Sequence, residues 1–597
     1  MKKIDFSKKM TYRNALLLPF QITPFYTILL LLHDLIRLAF APLSVWATAH
    51  FIDKTIAVFT AGEALTGVLP SLILMLALRL YQYIANPIVI LIKKRCEQKN
   101  WMAIDHPLIP TYAGLEMKNI EDSEKQDLIT HVWSEAPHIA LPYIWTDFKE
   151  FLVQLGIVIG YMAVLFAHAP LAGGVILVAI IPIILLSKKF GTKRYLNQKD
   201  LTKSNRELQE MRYYFRERQY AAERKLFDYT DHLTDRYSTL TKKVRKSEMK
   251  FFRKELFLKN LTSILLVCLG SSAFFLLLPY IANGKISVGV YISLIGVLFS
   301  TISNVTWNFS SYFENFAINN AYLKDFNDYL MLSKEEGALD EMAQSIEPFQ
   351  CLEFKNVSFA YPGTEKQVLK NVSFVIEAGK CYSIVGVNGS GKTTIVKLIL
   401  RLYNDYSGEI LLNGKSIRDY PMAQIKAMFS AIFQDYAQYD ISLSDNINIG
   451  AGFHATEEQI DRAIEESGLG DVVKNLKNGK DTLLGKIYDD GVELSKGQWQ
   501  RVAIARATIS PAYLKILDEP TAALDPIAER EVYENFNKIR KSDAAIFITH
   551  RLASTRNADV IYVLDNGEIT EVGNHEALLK KNGLYAEMFH SQQGWYI

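Results

Sequence analysis

The chain changes texture near residue 330. Before it, long apolar runs are separated by charged stretches; after it, the apolar runs shorten and are broken by polar turns. Six early runs have the length that a bilayer asks of a helix, about 20 residues: 23–52, 66–92, 148–168, 170–187, 256–282 and 287–318. Only His168-Ala-Pro170 separates the third from the fourth. The link 188–254 carries about twenty Lys and Arg, against one each in 53–65 and 280–286. Lys and Arg favour the cytoplasmic side, so the long links and both termini are predicted to lie inside, in agreement with an even number of spans. The first fifteen residues are polar and lead directly into the first span, without the pattern of a cleavable signal peptide.

The 188–254 link lacks Pro and places Leu226, Tyr229 and Leu233 at helical intervals. The long links are therefore predicted to continue the spans as helices and turn back. Their tips, Glu116–Asp122 and Arg224–His232, are the expected contacts with the C-terminal half. Charges inside spans are costly and need a purpose. His33, Asp34 and Arg37 share the first span, Asp34 and Arg37 on one face; Arg79 lies in the second and Glu314 late in the sixth. Two readings stand: an internal ion pair that fixes packing, or a cavity where Asp34, Arg37 or Glu314 meets a polar cargo. Gly156-x-x-x-Gly160 permits close helix approach.

Beyond a polar linker at 331–348, short strands alternate with helices as in an α/β domain. Strands are expected at Leu352–Ala360, Val372–Ile376, Tyr382–Val385 and Leu514–Leu517, a helix at Thr394–Leu400 and a hairpin turn at Asn566-Gly567. The third strand runs into Gly386-Val-Asn-Gly-Ser-Gly-Lys-Thr-Thr394. Strand, Gly-rich loop and helix in that order form a phosphate cradle. Backbone N–H groups from Gly386, Asn388, Gly389, Ser390 and Gly391 to Thr394 turn toward the phosphates. Lys392 reaches the β- and γ-phosphates, and the Thr393 hydroxyl can ligate Mg²⁺. Asp518, after a strand, is the carboxylate that holds the metal through water. Glu519 comes next as general base on the attacking water. Lys515 interrupts that strand and is read as snorkelling at a sheet edge.

Composition changes little in this picture. The chain is 49% hydrophobic and 22% charged, and its net charge of +2 gives no argument for a nucleic-acid partner. The cysteines Cys96, Cys268, Cys351 and Cys381 lack metal-ligand spacing and are expected as reduced thiols.

Leu494-Ser-Lys-Gly-Gln498 lies between the loop and the carboxylates. Here the chain resembles the ATP-binding cassette (ABC) family. Under that resemblance Tyr361 stacks on adenine, Gln434 senses Mg²⁺ and water, Ala523-Leu524-Asp525 crosses to a second cassette, and His550 is the γ-phosphate switch. Ser495, Gly497 and Gln498 would face the γ-phosphate of the opposing cassette. Lys496 stands where the family has a glycine, and an active but weakened site is expected. The resemblance implies ATP and Mg²⁺ as cofactors, and a half-transporter that dimerises with C2 symmetry, or else pairs with a different half.

Six spans ahead of one cassette look like the B-type (type IV) exporter. The expected organisation is a six-helix transmembrane domain at 1–330, a linker at 331–348 and an α/β nucleotide-binding domain at 349–597. Ile432-Phe-Gln-Asp-Tyr436, Tyr439-Asp-Ile-Ser-Leu-Ser-Asp-Asn446, Gly497-Gln-Trp-Gln-Arg501 and Ala523-Leu-Asp-Pro-Ile-Ala-Glu-Arg530 are similar to bacterial lantibiotic and other peptide exporters. The N-terminus is too short for a cysteine-peptidase domain. The resemblance implies a peptide or amphipathic cargo moved out across a bacterial cell membrane, with membrane lipid as surroundings. A multidrug or lipid exporter, a siderophore importer and an ATP-gated channel are the alternatives.

Overall fold

A threonine–proline step sets the first boundary in the computed structural model, which describes residues 9–134, 141–520 and 544–593. Thr23 leaves helical geometry at φ −132° and ψ 53°, because the ring of Pro24 crowds the residue before it. Helix α1 (Tyr12–Ile22) ends there, and α2 (Pro24–Ala61) begins with proline where no N–H is required. The apolar pattern predicts an N-terminus that leads straight into the first span; α1 is a separate helix instead. It is tied down by the Met10 N–H, which donates to Asn327 Oδ1 at 2.7 Å, and by Asn327 Nδ2, which donates back to the Met10 carbonyl at 2.9 Å.

Along the chain come α3 (Leu69–Ala113), α4 (Met117–Ile120), α5 (Ser123–Ser134), α6 (Leu141–His168), α7 (Pro170–Arg216), α8 (Ala221–Leu226), α9 (Thr230–Ala282), α10 (Val288–Ser303) and α11 (Ser310–Leu330). Each predicted span falls on one of these helices or on the α10–α11 pair, and α3, α7 and α9 run well past the expected membrane limits. By length and composition, Pro24–Ala61, Leu65–Ala113 and Tyr143–His168 can each cross a bilayer among the described residues, and Val288–Ile302 is a shorter apolar helix. The sixth span is not one α-helix: a π-helical stretch, Asn304–Phe309, separates α10 from α11.

Two units divide the chain: Met1–Ile109 with Asp127–Leu332, and Pro110–Gln126 with Ser333–Ile597. The expected linker splits at Leu332, and the α3–α5 tip belongs to the second unit. In the first, Val158, Met162 and Leu165 of α6 pack with Leu277, Leu294, Leu298 and Ile302. A Cβ on Gly156 would strike the Leu38 side chain, so this glycine lets α6 approach α2. The intramembrane charges close on one another. Lys149 Nζ lies 2.6 Å from Asp34, Arg37 lies 3.1 Å from both Asp34 and Glu150, and Lys149 is 3.0 Å from Glu150. Two carboxylates meet two cations, which makes burial of Asp34 and Lys149 tolerable.

In the second unit, β1 (Cys351–Ala360), β2 (Gln367–Glu377), β4 (Ser407–Leu412) and β5 (Lys415–Ser416) form an antiparallel sheet ordered β2-β1-β4-β5. A six-stranded sheet runs β10-β9-β3-β8-β7-β6, from β3 (Cys381–Val385), β6 (Phe429–Ile432), β7 (Leu514–Asp518), β8 (Ala544–Ile548), β9 (Val560–Asp565) and β10 (Glu568–Gly573). All its pairings are parallel except β9 with β10. Strands β3 and β7 are buried throughout, as expected for parallel strands covered on both faces. The main core lies around Phe354, Phe374, Ile384, Ile395 and Ile546. The β9–β10 turn uses Asn566 at φ 47° and Gly567 at φ 85°, the geometry that favours Asn-Gly in hairpins. Lys515 is not at an edge: β7 lies between β6 and β8, and the buried amine donates to the Thr508 carbonyl at 3.4 Å.

Helices α12 (Lys392–Ile399) and α15 (Lys496–Ile509) carry further site residues, with α13 (Leu443–Asn448) and α14 (Glu457–Glu466) beside α15. Trp499 and Val502 of α15 bury against Leu443 and Ile447 of α13 and Ile460 of α14 in a smaller core.

Candidate functional site

Parallel pairing gathers the chemistry. Strands β3, β8, β7 and β6 are neighbours and point the same way, so the segments leaving their C-terminal ends emerge at one edge. Those segments carry Gly386–Lys392, His550, Asp518–Glu519 and Gln434. One cavity of about 640 Å³ is lined by Tyr361, Asn388, Lys392, Gln434, Glu519 and His550, with Gly389, Gly391, Thr393 and Thr394 also on its wall. Residues separated by up to 189 positions thus share one wall.

The loop's backbone explains its glycines. Gly391 sits at φ 109° as the residue before α12, a conformation costly to any side chain. A Cβ on Gly386 would strike the Leu564 carbonyl. Lys392 is buried and donates to the carbonyls of Gly386 at 2.9 Å and Val387 at 3.1 Å. Burial pulls its pKa down, while Glu519 and Asp518 draw it back up. Ser390 Oγ is buried with no hydrogen-bond partner among the described residues, an open polar position inside the cradle.

Thr393 Oγ1 donates to Asp518 Oδ2 at 2.9 Å. A hydroxyl and a carboxylate offer hard oxygen donors of the kind Mg²⁺ takes. Burial pushes the Asp518 carboxyl up to about 6 from 3.8, the Thr393 hydroxyl opposing and Glu519 adding to the rise. The unfolded chain releases this proton near its ordinary value, the folded chain near 6. Ionising Asp518 therefore erodes stability as pH rises through that window, and a bound cation would offset the loss.

Glu519 has φ 50°, a region a non-glycine residue occupies only when its surroundings impose it. They do: its N–H donates to the Ile548 carbonyl at 2.9 Å, and Gln500 Nε2 lies 3.5 Å from its own carbonyl. His550 Nδ1 is 3.1 Å from Glu519 Oε1. The carboxylate is thereby aimed into the cavity. Gln500, on α15, carries no local sequence signal that would mark it for this role.

Tyr361 belongs to a cluster that the sequence does not reveal. Its hydroxyl bonds Thr394 Oγ1 at 3.0 Å, and its ring meets Tyr403 edge-on at 5.4 Å. Lys397 Nζ lies 5.2 Å from the Tyr361 ring centre and 5.8 Å from that of Tyr403. Both partners converge on the tip: Lys397 Nζ is 3.0 Å from Glu121, and the Tyr403 hydroxyl donates to the same carboxylate. Lys118 adds a 3.6 Å pair to Asp405. The expected tip contact, Glu116–Asp122, is thus present and ends two side chains from Tyr361. Replacing Glu121 by Ala is expected to free the tip from Lys397 and Tyr403 through loss of a charge-assisted bond, seen as faster amide hydrogen exchange across 116–122; unchanged exchange contradicts the importance of the contact. The other tip, Arg224–His232, is in the first unit, where Arg224 donates to the Tyr214 carbonyl at 2.6 Å.

Ser495 caps α15: its Oγ accepts from the Gln498 N–H at 3.3 Å, and Gln498 Oε1 accepts from the Ser495 N–H at 2.8 Å. Lys496 is exposed at the first helical position, and its carbonyl accepts from Tyr436 at 3.0 Å. Ser495, Gly497 and Gln498 do not line the phosphate cavity. Asp525 lies outside the described residues. Among the intramembrane candidates, Arg37 lines a cavity to which Asp34 and Glu314 do not contribute; Glu314 lies 3.5 Å from Arg194. Lys149 and Glu150, the partners of Asp34 and Arg37, are not among the sequence candidates, although they stand in the first turn of a predicted span.

Residues 369–522 match the family model described as ABC transporter. The subtilin transport ATP-binding protein SpaT of Bacillus subtilis is 36% identical over 373 residues, which are 62% of this chain and 60% of that protein. The match thus spans about three fifths of SpaT. The nisin transport ATP-binding protein NisT of Lactococcus lactis subsp. lactis aligns over 99% of this chain and 98% of its own length at 26% identity. An ATP-dependent lipid A-core flippase of Haemophilus influenzae is 41% identical over 40% of each chain. The solved structure of a bacterial Atm1-family ABC exporter with ATP bound superposes with a TM-score of 0.79 at 20% identity, covering 94% of this chain and 98% of that one. The second unit therefore carries an ABC transporter domain at residues 369–522, and the chain that bears it has the fold of an ABC exporter.

Proposed function

We propose that this chain is an ATP-driven exporter that moves a peptide out across a bacterial cell membrane, two copies working together around two shared ATP sites. The observation that carries the reading is the single cavity in which Lys392, Thr393, Glu519 and His550 meet. Lys392 and the loop N–H groups hold the β- and γ-phosphates. Glu519 takes a proton from the water that attacks the γ-phosphate, and His550 holds that carboxylate in place. Mg²⁺, held by Thr393 and by Asp518 through water with Gln434 beside them, would screen charge on the phosphates. Ser495, Gly497 and Gln498 stand outside their own chain's cavity, as they would if they served a partner's ATP. Closure of the pair would pass through Glu121 to the spans.

Peptide cargo is favoured by extent of likeness. The flippase relative matches 40% of this chain, whereas NisT matches 99%, membrane half included. Inside-out vesicles carrying the chain are expected to accumulate a labelled amphipathic peptide when ATP is added. Movement of labelled lipid with no peptide uptake sinks the cargo assignment in favour of a lipid exporter. A pair with a different half-transporter would show as inactivity of the purified chain alone.

A further inference from the structure

Helices α2, α3 and α6 line a half-open cavity of about 350 Å³, in which Arg79 and Gln82 remain exposed, at the small end of ligand-sized sites. Its polar wall comprises Arg37, Ser44 and Thr48 of α2, Arg79 and Gln82 of α3, and Tyr161 of α6. Arg37 is answered, because the set Asp34, Arg37, Lys149 and Glu150 sums to zero charge. Arg79 has no carboxylate within ion-pair distance among the described residues, so the wall keeps one uncompensated positive charge. Such a charge within a span is costly unless something answers it.

The neighbouring polar groups supply free donors beside that charge. Ser44 Oγ donates to the Ala41 carbonyl at 2.9 Å and Thr48 Oγ1 to the Ser44 carbonyl at 2.8 Å, so both hydroxyl protons are already used. The Gln82 amide and the Tyr161 hydroxyl make no hydrogen bond among the described residues. The groups still able to donate are therefore the Arg79 guanidinium, the Gln82 amide and the Tyr161 hydroxyl, with the Nε and Nη2 N–H groups of Arg37, whose bonds to Asp34 and Glu150 use Nη1 alone. An ionised carboxylate only accepts hydrogen bonds and matches that set; an ammonium would face like charge. Depth bears on the source of the anion. Arg79 stands ten residues into α3, or about 15 Å along the axis, and is central in the predicted span 66–92, which by sequence sets it near the middle of a hydrocarbon layer about 30 Å thick. Lipid headgroups rest at the interface, whereas a cargo in transit passes the middle.

We propose that this cavity binds a carboxylate of the peptide cargo, its C-terminus or an acidic side chain, through Arg79, Gln82 and Tyr161. The inference rests on the peptide-export reading. Its test uses the full chain reconstituted in zwitterionic liposomes and one amphipathic peptide in two forms: acidic with a free C-terminus, and amidated with Gln in place of Glu. Half-maximal stimulation of ATPase by the acidic form is expected at about tenfold lower concentration than by the amidated form, the size of one charge-assisted bond. Arg79→Gln should bring that ratio close to one, and Arg79→Lys should restore part of it. Tyr161→Phe removes one donor without touching the charge and should reduce the ratio about threefold; it carries the test should Arg79→Gln fail to fold. Equal responses of the unaltered chain to both forms overturn the proposal, as does a ratio unchanged in Arg79→Gln and Tyr161→Phe. Stimulation by vesicles containing anionic phospholipid, independent of peptide, overturns it too and gives the cavity to lipid. If neither peptide form is transported or stimulates ATPase while the chain hydrolyses ATP, the export reading itself has failed.

Discussion

Glu519→Gln lowers steady-state ATP turnover by about 10²–10⁴-fold, the range of a general base, and leaves nucleotide binding in place. The amide has the shape of the carboxylate but cannot take the proton of the attacking water. Shape matters here because Glu519 is held at φ 50° with its N–H on the Ile548 carbonyl, and Gln keeps both. His550 Nδ1, 3.1 Å from Oε1, retains an oxygen partner. Binding without hydrolysis is expected to accumulate a closed, ATP-occupied pair, visible by cross-linking. Ordinary turnover in this variant removes Glu519 from the role of base.

Lys392→Ala has the second large effect: nucleotide affinity falls by about 10²-fold, from the loss of a charged hydrogen-bond donor to phosphate. The ligand-free protein responds differently. Lys392 is buried and spends its ammonium on two carbonyls of its own loop, with its pKa pulled down by that burial. Removing it leaves those carbonyls without their donor, so the melting temperature of the ligand-free chain falls modestly. The rise in Tm that ATP produces is the sensitive readout, because stabilisation by a ligand depends on its concentration relative to Kd. A variant that keeps the ATP-dependent rise refutes the assignment of the loop.

These two residues are legible in the sequence because phosphate chemistry constrains local spacing. A strand, a Gly-rich turn and a helix must succeed one another for the loop N–H groups to converge, and a strand must end where Asp518 and Glu519 begin. Their meeting requires the order β3-β8-β7-β6, which no local pattern states. The spans are legible for a similar reason, since apolar length is a property of a segment alone. The features hidden from the sequence depend on tertiary partners. Lys149 reaches Asp34 across 115 positions, and Tyr403 reaches Glu121 across 282. The edge position expected for Lys515 fails because strand order decides what is an edge. The separate helix α1 has a local signal, Thr23-Pro24, which the apolar run beyond it conceals. The π-helical Asn304–Phe309 lies inside the single run read as the sixth span, with no Gly or Pro to mark it.

The most direct measurement is ATP hydrolysis and peptide accumulation recorded together in the same proteoliposomes. Uptake that starts with ATP, scales with hydrolysis and disappears in Glu519→Gln is the expected result. Full hydrolysis by isolated single chains, indifferent to peptide and to reconstitution, would contradict it.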